Sequence, residues 1–471
     1  MDKKRKTTMK TQTYNLLTGN VTKGLVAFGM PVFFANLLQQ FYGIVDMIAV
    51  GQFVGSAGLA AISNASMISF ILTALCTGVA MGGTVLVAQY KGAGDAAALR
   101  ESVGTLFSLT MICSIALTIC GYLLYRPVFE LMRVPGEAMQ YACDYMHIIC
   151  GGIIFVFGYN AVCAVLRGLG DSKNPLYFVM IATCVNVVLD IVLIGRYGMG
   201  TKGAAVATVI SQAVSFVIAI LYLWRKTTVF DFRWKSLVIK RNKAKLILRV
   251  GLPSAAQMAV VNLSYLIVTG MLNGFGVAVA AASGIGLKVN TFAAMPCWAV
   301  GQAVTTMAGQ NMGAGDIPRV KKVVRAGLLI SVLVSLVMIA IFQLFAQQVI
   351  MLFNTDAEVV REGVLYLRIC CSLNCAAYAV MYTCNSFATG ISAAGFALMN
   401  SMIDCVVTRI VLSYLVGVTF GYGFLGIYVV EMAAPVLPAI AGFLYFKSRR
   451  WEKRSLIHAG QGGGNRAQDN G

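Results

Sequence analysis

The stretch GMPVFFANLLQQFYGIVDMIAVG, residues 29–51, is apolar enough to cross a bilayer, yet it carries Gln39, Gln40 and the acid Asp46. An ionised carboxylate at bilayer depth is expensive, so acids there are rare and face a cavity or a partner. Gln39, Tyr42 or Gly43, and Asp46 recur at i, i+3 or i+4, and i+7, which puts them on one helical face. That face has a role other than meeting lipid. It is read as the wall of a cavity inside a bundle of membrane helices, with Asp46 titrating or binding a cation.

Working outward, the whole chain has the same character. Of 471 residues, 58% are hydrophobic and only 12% are charged. A soluble domain cannot hide so much apolar surface, so the class is an all-α polytopic membrane protein whose first partner is the lipid bilayer. Thirty-seven Lys and Arg against 18 Asp and Glu leave a net charge of +19. Such a charge would suit nucleic acid, but the basic residues cluster at helix ends and loops, as cytoplasmic loops of membrane proteins do. No nucleic-acid partner is expected. The 13 cysteines scatter through apolar runs, as at Cys113, Cys120, Cys184 and Cys405, without zinc-site or disulfide spacing, and are read as small hydrophobes. The first apolar run is a full span and is expected to be retained rather than cleaved.

Residues 1–23 are polar and basic and are expected to lie in the cytoplasm. An N-terminal group of six spans fills 24–224, with apolar runs at about 24–50, 57–86, 102–124, 142–166, 175–197 and 203–224. A basic linker, 225–249, is followed by a second group of six in 250–446, at about 250–272, 276–306, 324–353, 363–388, 394–417 and 423–446. The tail, 447–471, is basic, then Gly/Asn-rich, and is expected to be disordered. With a cytoplasmic start, all but one of the inside loops carry basic residues, and only Arg196 and Lys202 run against the rule. Both termini are therefore expected inside.

The two groups are repeats. Gly29-Met30-Pro31 opens the first as Gly251-Leu252-Pro253 opens the second, and AQYKGAGD (88–95) returns as GQNMGAGD (309–316). RGLGDSKNP (167–175) is weakly echoed by TGISAAGFA (389–397). Six spans per repeat give both halves one orientation, related by a pseudo-two-fold axis along the membrane normal with the substrate path between them.

Intramembrane polar groups carry the functional signal. In the first half they are Asp46, Tyr145, Asn160, Asn186, Asp190 and Thr208. Asn186 and Asp190, four apart in CVNVVLDIVLIG, share a face. An amide oxygen beside a carboxylate can coordinate a hard cation or serve a proton relay. Two carboxylates in one low-dielectric cavity resist ionising together. That is a proton or Na⁺ switch, with Na⁺ ligands at Asp46, Asn186 and Asp190. The competing reading has Asn186 and Asp190 gluing helices by hydrogen bonds, and for Thr208 taken alone that reading is the stronger. In the second half, Gln257, Asn262, Lys288, Asp404, Arg409 and Glu431 include both signs. Lys288 and Arg409 are read as structural partners of Asp404 and Glu431, since buried charges survive best in pairs. His147 is read as a packing residue. No nucleophile elbow, metalloprotease motif, Walker loop or dinucleotide fingerprint stands in context, so an enzyme is not expected and no cofactor beyond a coupling ion, H⁺ or Na⁺.

Taken in order, the Asp46 helix opening GMP, AQYKGAGD, AVLRGLGDSKNP, VNVVLD followed by KGAAVATVISQ, and GQNMGAGD resemble the MATE (multidrug and toxic compound extrusion) family across about 20–450. The resemblance implies two six-helix lobes around a V-shaped cleft, rocker-like alternating access, and export of amphipathic organic cations against H⁺ or Na⁺ entry, in a bacterial plasma membrane. It looks closest to the DinF-like branch. That branch implies an N-lobe cavity of Asp46, Asn186, Asp190, Thr208 and Tyr145, with Gln39 beside Asp46. Where the family often has an Asn four residues before the Arg of RGxGD, this chain has Cys163, and Asn160, about one turn earlier, is the expected substitute. The NorM-like branch places an acid on the seventh helix, where this chain has only Gln257 and Asn262. A lipid-linked precursor flippase would want basic residues in the cavity, and these candidates are acidic or neutral. A natural metabolite remains an alternative substrate. A monomer is the working expectation, the oligomeric state itself leaving no mark in the sequence.

Overall fold

The computed structural model describes residues 15–452 apart from 227, 228, 231, 232, 234 and 235. The N-terminal half holds α1 (Val21–Phe53), α2 (Ser56–Ala93), α3 (Ala96–Leu131), α4 (Gly136–Leu169), α5 (Lys173–Asp190) and α6 (Gly200–Lys226). The C-terminal half holds α7 (Arg241–Asn273), α8 (Val277–Gly313), α9 (Ile317–Met351), α10 (Ala357–Cys370), α11 (Leu373–Gly390), α12 (Ala394–Met402), α13 (Gly423–Ala433) and α14 (Val436–Lys447). α5 runs on into a π-helical segment, Ile191–Arg196, and α12 into two more, Ile403–Leu412 and Tyr414–Thr419. Eleven of these helices, extended by their π-helical segments or joined as α13 and α14, are long and apolar enough to cross a membrane. α10 and α11, bent by 47° at Cys371 and Ser372, make one further broken span, so the expected twelve are present. The basic linker of 225–249 is half helix, since α7 starts at Arg241.

The repeat is legible in single turns. Asp95 caps α3 by accepting from the Ala98 N–H at 2.9 Å, and Asp316 caps α9 by accepting from the Arg319 N–H at 2.9 Å. Gly94 (φ +71°) and Gly315 (φ +75°) precede them in the left-handed region that favours glycine. The two GAGD motifs are thus one helix-to-helix turn used twice. Thr84 bonds the Ala164 carbonyl within the first lobe as Thr305 bonds that of Ser386 within the second.

The lobes meet along small residues. Gly78 and Gly82 of α2 lie against the backbone of α7 at Gly251 and Ile247, and a Cβ on Gly29 of α1 would lie 3.6 Å from the Ala299 carbonyl of α8. Without a hydrophobic drive in lipid, such close backbone approach is what holds membrane helices together. At the end of α2 and α8 the contact is reciprocal. A Cβ on Gly92 would collide with the Gln310 carbonyl, and one on Gly313 with that of Gln89. Gln89 Nε2 donates to the Gly390 carbonyl (3.0 Å) at the end of α11, and Gln310 Nε2 to the Gly168 carbonyl (2.8 Å) at the end of α4. Each lobe thereby caps a helix of the other.

All these interlobe approaches lie toward the end of the molecule where α1 begins and α14 ends. Farther along, Gly43 of α1 and Gly284 of α8 meet nothing within 4 Å. The lobes are joined at one end and apart at the other, which is the V-shaped cleft expected from the resemblance.

The described residues at both ends pack against the C-lobe. The tail is not featureless: Trp451 is fully buried, edge-on to Phe387 at 4.9 Å, and its indole N–H donates to the Phe446 carbonyl at 2.8 Å. One large aromatic outweighs its polar neighbours and folds residues 448–452 onto the C-lobe, helped by Lys321 and Glu452 at 2.7 Å. Residues 453–471 lie outside the described residues. At the other end Leu16 is buried, and Arg319 donates to the Gly19 and Thr18 carbonyls. Residues 1–14 lie outside the described residues.

Candidate cation-coupling site

α1 and α5 pack side by side in the N-lobe and bring Asp46, Asn186 and Asp190 together, each side chain within interaction range of Asp46. Asn186 and Asp190 are 1% and 0% exposed, and they meet Asp46 on its i, i+4 face as the spacing requires. The polar atoms are not satisfied by protein. Asp46 Oδ1, both carboxylate oxygens of Asp190, and Oδ1 and Nδ2 of Asn186 are buried with no hydrogen-bond partner. No Lys or Arg pairs with either acid among the described residues. Two carboxylates so placed can share a proton or surround a small cation, and the bare amide oxygen adds a neutral ligand.

Tyr145 of α4 lies within electrostatic reach of Asp46, Tyr42 and Asp190. Thr208 of α6 presents a buried hydroxyl without a partner. A narrow cavity on the same side is lined by Gln39, Tyr42, Tyr159, Thr183, Asn186 and Ser211. Gln39 is exposed at its edge. Thr183, one turn before Asn186 on the same face of α5, extends the set that sequence reasoning singled out, and Tyr42, one turn before Asp46 on α1, lines the cavity as its helical face requires. Their helical spacing to the acids is the signal that marks them.

Other candidates land elsewhere. Asn160 spends its amide on the Val156 carbonyl of its own helix, at 2.8 Å, and the structure does not bring it into the cluster. His147 packs edge-on against Tyr122 (4.9 Å) and Tyr125 (6.4 Å) of α3, as a packing residue does. The RGLGDSKNP turn is a cap: Asp171 accepts from the N–H groups of Lys173 and Asn174, and Asn174 reaches Tyr222 at 2.8 Å. Lys202, which opposed the charge rule, sits 3.3 Å from Asp144. In the C-lobe, Arg409 pairs with Asp404 at 3.4 Å as expected, but Lys288 is exposed and joins neither acid. Gly286 faces Tyr366 of α10, and two residues on, about 200° around α8, Lys288 points the other way.

Comparison with known proteins agrees with this geometry. The MatE family model matches twice, over residues 31–192 and 253–415, once in each lobe. The chain is 30% identical over 346 residues to the "Probable multidrug resistance protein YoeA" of Bacillus subtilis (strain 168), covering 72% of this chain and 75% of that one. It is 29% identical over 447 residues to YpnP of the same organism, also a "Probable multidrug resistance protein", covering 94% and 99%. Among solved structures, an "Outward-facing conformation of a multidrug resistance MATE family transporter of the MOP superfamily" superposes with a TM-score of 0.88 at 23% identity, covering 93% of this chain and 98% of that one. Two matched lobes, twelve spans and a cleft between them leave one conclusion: the chain belongs to the MatE family and is a multi-pass membrane transporter.

Proposed function

We propose that this transporter exports amphipathic organic cations in exchange for an inward-moving cation, H⁺ or Na⁺, by alternating access across a bacterial plasma membrane. One observation carries the reading: half-buried Asp46 faces fully buried Asp190, with bare oxygens on both and no basic partner among the described residues. Such a pair has to take up positive charge, and a proton, a metal ion and an organic cation are the competitors for it.

Coupling requires that the ion favour one conformation over the other. α1 supplies the connection. It carries Asp46 near one end and meets α8 through Gly24 and Gly29 near the other, about 25–33 Å away at 1.5 Å per residue. A change in how α1 sits against Asp190 is passed along α1, through the turn that holds Pro31, to the lobe crossing. The basic loops support a cytoplasmic joined end, and with it an outward-facing conformation. Relatives named as multidrug resistance proteins support the breadth of substrate. The site is complete within one chain, which fits a monomer.

Everted membrane vesicles test this directly. A fluorescent organic cation should move under an imposed pH gradient or an imposed Na⁺ gradient, and the gradient that works names the ion. Asp46→Asn should abolish the movement. Full gradient-driven movement in both Asp46→Asn and Asp190→Asn would overturn the proposal.

A further inference from the structure

A second buried charge cluster lies in the opposite lobe. Asp404 and Arg409, in the π-helical segment Ile403–Leu412, are 2% and 3% exposed, and Glu431 of α13 is 7% exposed. The π-helix matters here. Five residues per hydrogen-bonded step bring i and i+5 into register, which sets Arg409 Nη2 3.4 Å from Asp404 Oδ2. The Arg409 guanidinium also lies over the Tyr265 ring at 4.3 Å. Tyr366 Oη stands 3.4 Å from Glu431 Oε2, and Asn374 Nδ2 donates to the Glu431 backbone carbonyl at 2.5 Å. Nε and Nη1 of Arg409 and Oδ1 of Asp404 remain buried without partners.

The charges do not balance. From the segment after α12, Glu431 faces Asp404 and Arg409; from α10, Tyr366 and Cys370, with Cys371 at the bend beyond; from α7, Tyr265 stands beside Arg409. One guanidinium meets two carboxylates, and Lys288, the other basic residue considered for this site, is turned away. Ionised throughout, the cluster would hold a net charge of −1 inside the membrane, where an uncompensated charge is the costliest arrangement. The first lobe repeats the theme, because Asp190 sits at the junction of α5 with its own π-helical segment.

We propose that the Asp404–Arg409–Glu431 cluster is a second protonation site, in which Arg409 balances Asp404 and Glu431 carries one proton. The proton sits on a carboxylate oxygen of Glu431, with Tyr366 beside it. Binding rests on the charge count alone. Its consequence, a second proton moved per cycle, rests on the export reading above.

Infrared spectroscopy of the purified full chain tests the binding without transport. Of the seven glutamates, Glu431 alone lies in the middle third of its span, Gly423–Lys447. The wild type at neutral pH should show a protonated-carboxyl C=O band that shifts with ¹³C-glutamate labelling. The band should be lost in Glu431→Gln and kept in Asp46→Asn and Asp190→Asn. If Glu431→Gln does not fold, the labelled wild type still decides, since no glutamate-sensitive band at neutral pH overturns the proposal. A band that survives in folded Glu431→Gln overturns it, and so does one that disappears when Na⁺ is added, because the site is then a metal site. In vesicles, Glu431→Gln should lower the protons moved per dye molecule about twofold, where Asp46→Asn ends coupling. If dye export fails in the wild type while the band stands, the export reading falls and this one does not.

Discussion

Asp46 and Asp190 carry buried carboxylate oxygens with no hydrogen-bond partner and, among the described residues, pair with no Lys or Arg. Replacing either by Asn keeps its shape and removes its charge. Each change should cut gradient-driven dye export about tenfold or more, the factor that about 1.4 kcal/mol of lost ion bias produces. Asn186→Ala should weaken the response to the coupling ion and leave the fold intact, because its amide bonds no other helix; apparent ion affinity against thermal melting of the variant separates the two. These three residues were legible because carboxylates are rare at bilayer depth and helical spacing places Asn186 beside Asp190. Thr183 was harder to mark, since Thr is ordinary in membrane helices and only the fold shows its neighbours. Asn160 read as a ligand for the same reason in reverse: nothing in a sequence shows that an amide is already spent on the carbonyl four residues back.

At the scale of elements, the crossing of α2 with α8 is the most constrained contact. A Cβ on Gly92 or Gly313 meets a backbone carbonyl that has no room to move, and overpacking of this kind costs about 1–3 kcal/mol. Gly92→Ala should therefore part the lobes at the joined end. A cysteine placed at the buried Ala88, in a chain lacking the exposed Cys120 and Cys184, should react with maleimide faster in that variant than without it. Trp451→Ala should lower stability by about 3–5 kcal/mol, as large core truncations do, and melting in detergent would show it. The spans themselves were readable from apolar runs and basic loops. The π-helical segments, the bend at Cys371 and the burial of Trp451 were not, because each depends on contacts between residues distant in the chain. Arg409 illustrates the point: its partner Asp404 is five residues away, a spacing that an α-helix would turn aside.

The whole molecule is two copies of one six-helix plan, joined at one end. Cysteines at Ala88 and Gly309, whose Cβ positions lie 3.2 Å apart, should cross-link across the lobes. The linked protein should still bind an organic cation from the open side and should fail to release it on the other. Reduction should restore turnover, which separates locking from misfolding. The duplication was visible in the sequence through motifs recurring at a near-constant offset. Its geometric meaning was not, since only the fold shows that Gln89 and Gln310 occupy equivalent places and reach into each other's lobes.

That exchange makes the joined end a catch with two identical tongues. When the lobes part, the Gly168 and Gly390 carbonyls lose their donors in the same movement, and water has to reach both. Neither tongue can slip alone without straining the glycine seam beside the other. The opening of this end is therefore a wetting event, all or none, and its equilibrium depends on how readily water is given up by the surrounding solution. Sucrose or another excluded osmolyte should hold the catch shut and slow the maleimide reaction at position 88.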